Sequence, residues 1–100
     1  MKTGAESVRC APDRELLLAQ HRFPGEYTIK AFGPGRSVFR QEVRVAISEL
    51  NLAVLPQFSE RESSSGKRVC VSVHMTVDSV DEVIEAYERL YQLQELLFVL

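Results

Sequence analysis

The chain has 100 residues, a net charge of −2, and 45% hydrophobic and 26% charged residues. That makes a single domain with a modest core, burying about 65% of the unfolded surface, and a charge that gives no bulk attraction to nucleic acid or anionic membrane. No apolar run reaches the roughly 20 residues of a membrane span, and the opening MKTGAESVRC lacks a signal-peptide core, so a cytoplasmic protein is expected.

Residues 1–11 are small, polar and without period, and read as a flexible tail. Pro12-Asp13 opens a short helix to about His21, with Leu16, Leu17 and Leu18 as its apolar side. The segment 12–22 is thus a helix that must dock on the domain formed by 23–100. Phe23-Pro24-Gly25 breaks it. Glu26 to Phe32 then alternates as a strand, with Tyr27, Ile29 and Ala31 on one side and Thr28, Lys30 and Phe32 on the other. Gly33-Pro34-Gly35 reads as a turn in which at least one glycine has a positive φ. Ser37 is the expected N-cap of a helix carrying Phe39, Val43, Ala46, Ile47 and Leu50 at helical spacing and ending near Asn51.

Ala53 to about Arg61 is a weaker strand, which Pro56 places at a sheet edge. Ser63-Ser64-Ser65-Gly66 forms a hairpin turn into the clearest strand of the chain, Lys67 to Asp78. There Val69, Val71, Val73, Met75 and Val77 alternate with Cys70, Ser72, His74 and Thr76. Ser79 and Glu82 have capping-box spacing before a second long helix with Val80, Val83, Ile84, Tyr87, Leu90 and Tyr91 inward. Leu96 to Leu100 closes the domain as a short strand. The order β-α-β-β-α-β predicts an α+β, ferredoxin-like sandwich: two helices on one face of a four-stranded antiparallel sheet, first and third strands central.

The run FPGEYTIKAFGPGRSVFRQEV, the hairpin into KRVCVSVHMTV, the helix VDEVIEAYERLYQL and the terminal FVL together resemble the YbeD-like family. The most specific part is Phe23, Pro24, Tyr27, Lys30 and Gly33, and the resemblance spans Phe23 to Leu100. These are small bacterial proteins labelled lipoate-regulatory. The resemblance implies a ferredoxin-like fold close to the ACT regulatory domain and no established enzymatic activity.

The candidate binding residues fall into two groups. Gly33, Gly35, Arg36 and Ser37 lie between a strand and a helix, where free N–H groups and a guanidinium suit an anion; a plain connecting turn is the alternative. Lys30, Phe32 and His74 share the open sheet face with Thr28, Ser72 and Thr76, a surface for a transient partner. His74 is otherwise a hydrogen-bonded surface histidine and Cys70 a small packing residue. His21 and Cys10 carry no signal. Arg36, Arg40 and Arg44 line one helix flank, balanced by Glu42 and Glu49, and Glu60-Arg61-Glu62 reads as a solvated edge.

No catalytic constellation, metal spacing or cofactor motif appears in the sequence. GPGRSVFR loosely resembles the phosphate loop of acylphosphatases, but Pro34, Gly35 and Ser37 depart from that pattern and no Asn falls between Leu52 and Val77. An RNA-binding face would need several stacking aromatics on the central strands, and only Phe32 is offered. The expected function is a non-enzymatic regulatory or interaction module that takes a small metabolite or a protein partner, as a monomer or weak homodimer. A small hydrolase and a purely structural assembly protein are the alternatives.

Overall fold

The computed structural model describes residues 11–100. Most of the expected tail, including Cys10, lies outside the described residues, and Ala11 already packs against the core. The elements are α1 (Arg14–Gln20), β1 (Gly25–Pro34), α2 (Ser37–Ser48), β2 (Gln57–Glu62), β3 (Arg68–Val77), α3 (Val80–Tyr91) and β4 (Phe98–Val99). The sheet is antiparallel in the order β2-β3-β1-β4, with the first and third strands central, a ferredoxin-like α+β arrangement.

The β1–β3 ladder runs from Gly25 opposite Val77 to Pro34 opposite Arg68 without a break. Because strand side chains alternate, that register sends Ile29, Ala31, Val69, Val71, Val73, Met75 and Val77 to one side, and all are buried. α2 covers them with Phe39, Val43, Ala46 and Ile47, and α3 with Val80, Val83, Ala86, Tyr87 and Leu90. Ile84 and Tyr91 sit partly buried at the margin of the same cluster.

Three expectations for the glycine turn and α2 are corrected. Among the described residues only Gly66, in the hairpin, has a positive φ, at 75°. Gly33 and Gly35 are instead sites of close approach. A Cβ on Gly33 would lie 2.5 Å from the Phe39 ring, and one on Gly35 would collide with the Gly66 carbonyl oxygen. Ser37 is the first helical residue rather than the cap. Arg36 holds the cap position, and no side chain caps α2. The helix ends at Ser48, not near Asn51; Leu50 N–H donates to Ile47 O at 3.0 Å and stays buried, so the apolar period outlasts the helix.

The α3 start is half a capping box. Glu82 reaches back one residue further than expected, its Oε1 accepting from Asp78 N–H at 2.8 Å, while the Ser79 hydroxyl caps nothing. α1 docks on α3 through Leu17 alone of its three leucines, helped by an exposed Arg14–Asp81 ion pair. Leu16 and Leu18 remain about half exposed because a seven-residue helix turns only one stripe inward. β2 begins after Pro56, so the proline precedes the edge strand rather than lying within it.

Val73 is 0% exposed between two strands and the helices. Val73→Ala is expected to lower stability by about 1–3 kcal/mol, read from urea unfolding; an unchanged curve would refute the assigned core face. Gly35→Ala is expected to lower it by at least about 1 kcal/mol, because the obstructing atom belongs to the backbone and cannot swing away.

Candidate functional site

The helices cover one side of the sheet and leave the other open. The strand registers set out that open face as rows. Arg61, Cys70, Phe32 and Phe98 stand side by side across the four strands. The next row is Ser59, Ser72, Lys30 and Leu100, the last pair joined by Lys30 N–H to Leu100 O at 3.0 Å and Leu100 N–H to Lys30 O at 2.9 Å. A third row holds Gln57, His74 and Thr28. Rows are about 6.8 Å apart along the strands and neighbours about 4.8 Å apart across them.

The structure therefore brings together Lys30, Phe32 and His74, as the alternation predicts. It adds residues the sequence reading missed. The Phe32 ring stacks on Phe98, centroids 4.4 Å apart and planes within 13°. His74 is fixed by hydroxyls on both neighbouring strands: Thr28 Oγ1 lies 3.2 Å from Nδ1 and Ser59 Oγ 3.1 Å from Nε2. Beside it, Glu26, Thr28, Gln57 and His74 line a shallow depression rimmed by Val54 and Leu55, the latter 86% exposed. Cys70 is half-buried on this open face rather than packed in the core.

Charge is distributed unequally between the two sides. On the helical side, Arg40 pairs with Glu60 and Glu62 at 3.4 and 2.5 Å, and Arg44 with Glu60 at 2.9 Å, its guanidinium 4.9 Å from the Phe58 ring centroid. Arg36 meets Glu95 at 3.4 Å, and Glu49 is taken by Arg89 at 2.7 Å. The arginine flank is thus balanced by β2 and by Glu95, not by Glu42 and Glu49, and the carboxylates of Glu60 and Glu62 are engaged rather than merely solvated. On the open face, Lys30, Arg61 and Arg68 have no ion-pair partner among the described residues, and Glu26 is the one carboxylate among its outward-facing strand residues.

The Gly33–Ser37 loop is structurally committed. Gly35 N–H donates to Lys67 O at 2.9 Å and Arg36 N–H to Pro34 O at 2.7 Å, so two of the groups an anion would need are already bonded. Among the described residues no group of three or more His, Cys, Asp or Glu side chains is placed to hold a metal ion, and no helix is long and apolar enough to cross a membrane.

The perturbed titrations lie away from this face. The Arg14 guanidinium, hydrogen-bonded to Asp81, holds that carboxyl below its usual range. Tyr87 is pushed above the ordinary phenol range, first by burial and then by its hydrogen bond with Tyr27, 2.9 Å between hydroxyl oxygens. His21, silent in the sequence, packs its ring against Tyr27 at 4.8 Å beside this pair.

A family model described as "Protein of unknown function (DUF493)" matches residues 19–100. No curated protein matches the chain.

The raised Tyr87 pKa means that the unfolded chain loses this proton first. The stability it contributes is complete below the ordinary tyrosine range, near about pH 10, and is lost as pH climbs through that range toward the folded value. Urea midpoints measured at rising pH should fall there, and Tyr87→Phe should flatten the fall. Equal slopes for the two proteins would refute the assignment.

Proposed function

The chain belongs to the DUF493 family, and we propose that it is a small non-catalytic binding module whose working surface is the open face of the sheet. The observation that carries this reading is the segregation of its cations. Arg14, Arg36, Arg40, Arg44 and Arg89 all have carboxylate partners; of the cations with none among the described residues, Lys30, Arg61 and Arg68 share the open face with the Phe32–Phe98 stack, and Arg22 and Lys67 lie in the loops before β1 and β3. A chain of net charge −2 thus presents a cationic, aromatic face. An acidic protein surface is its natural complement, because opposite potentials steer encounter and a central aromatic supplies the anchor.

The Phe32–Phe98 stack, two nearly parallel rings 4.4 Å apart, offers that anchor as one apolar unit. His74, held from both sides, is a pre-oriented polar contact in the same surface. The YbeD-like resemblance and its ACT-like fold support a regulatory role in a bacterial cytoplasm.

The double variant Lys30→Glu/His74→Glu changes exposed side chains only. It is expected to abolish capture of an acidic partner from native extract while leaving the melting temperature within a few degrees, and wild-type capture should weaken as salt is raised. Undiminished capture by the folded double variant would overturn the reading.

A further inference from the structure

We propose that the mouth of the β2–β3 hairpin is a site for a small dianion with an apolar body, a phosphate monoester or a dicarboxylate. This deepens the reading of the open face as a binding surface by giving one part of it a ligand class.

The mouth is a concavity of about 350 Å³ whose lining includes Phe32, Arg61, Ser63, Arg68 and Cys70. The concavity is shallow and open to solvent, and its size suits one ring or a short chain with its charged group held at the surface. Arg61 stands opposite Cys70, and Arg68 lies two residues before Cys70 on the same face. The two arginines are therefore diagonal neighbours, about 7–8 Å apart at the backbone, close enough for both guanidinium forks to reach one group. Two like charges within reach of one another repel, and no carboxylate among the described residues pairs with either. Glu62 also lines the mouth, but its carboxylate is held by Arg40 at 2.5 Å.

A doubly charged phosphate monoester or dicarboxylate would relieve that repulsion, since each guanidinium matches two oxygens of a carboxylate or phosphate. Phe32, backed by Phe98, gives the ligand's body an apolar wall. The hairpin that carries the arginines is braced. Ser63 N–H donates to Arg68 O at 3.0 Å, Gly66 N–H to Ser63 O at 2.9 Å, and Arg68 N–H to Ser63 Oγ at 3.2 Å. The site is thus built on paired strands rather than on a loose loop.

Amide NMR titration of the whole chain with phenyl phosphate, phthalate and inorganic phosphate tests this. Phenyl phosphate or phthalate should shift the amides of Phe32, Arg61, Ser63, Arg68 and Cys70 and saturate in the millimolar range or below, about −4 kcal/mol or stronger. The arm that saturates first identifies the anion. Inorganic phosphate should bind at least about fivefold more weakly, because it leaves the apolar wall unused. Arg61→Gln/Arg68→Gln, with its fold verified by an otherwise unchanged spectrum, should lose at least about tenfold in affinity. No saturation by either aromatic anion, shifts centred elsewhere, equal binding of inorganic phosphate, or full binding by the double variant would each overturn the proposal. Failure here with partner capture intact discards the pocket alone. Hairpin binding with capture insensitive to Lys30→Glu/His74→Glu discards the partner surface alone.

Discussion

The unbroken β1–β3 ladder is the constraint on which the rest of the structure depends. Ten consecutive residue pairs from Gly25–Val77 to Pro34–Arg68 leave no bulge to change the phase of either strand. Every side chain on the two central strands is thereby assigned to a side. One assignment creates the apolar floor that both long helices need, since neither could persist alone in water. The same assignment creates the open face with Lys30, Phe32 and His74. Core and surface are two consequences of one register, and a slip by a single residue would exchange them.

The edge strand β2 obeys the same alternation and shows what it can do with charge. Glu60 and Glu62 point to the helical side and engage Arg40 and Arg44 of α2, while Arg61 between them points outward. These partly exposed pairs add little stability individually. Their larger effect is on the distribution of free charge. They neutralise the arginines of the helical layer, while Lys30, Arg61 and Arg68 on the opposite surface stay unpaired among the described residues.

How much of this is legible in the sequence depends on the range of the interaction. The period-two patterns of Glu26 to Phe32 and Val69 to Val77 are local signals, and with the β-α-β-β-α-β order they sufficed for the central position of both strands and the grouping of Lys30, Phe32 and His74. Phe98 and Ser59 needed the registers of the edge strands, and a two-residue β4 carries too little pattern to fix one. The partners of Arg40 and Arg44 come from β2, so counting charges along the helix led to Glu42 and Glu49 instead. At Gly33 and Gly35 the composition signalled a special position correctly, but the cause is a neighbouring ring and a neighbouring carbonyl rather than backbone φ. Such neighbours are invisible until the chain is folded.

The brevity of β4 has a consequence for how the open face is populated. Phe98 reaches Phe32 only while the Phe98–Val99 segment stays zipped to β1, by bonds that include Leu97 N–H to Phe32 O at 2.7 Å and the reciprocal Lys30–Leu100 pair. Neither Phe98 nor Leu100 is buried. Local opening of this strand costs far less than global unfolding, because it leaves the β1–β3 ladder and most of the core intact. It removes half of the aromatic stack and frees one face of Phe32. The apparent affinity of any ligand that needs the stack is therefore scaled by the fraction of molecules in which β4 stays paired.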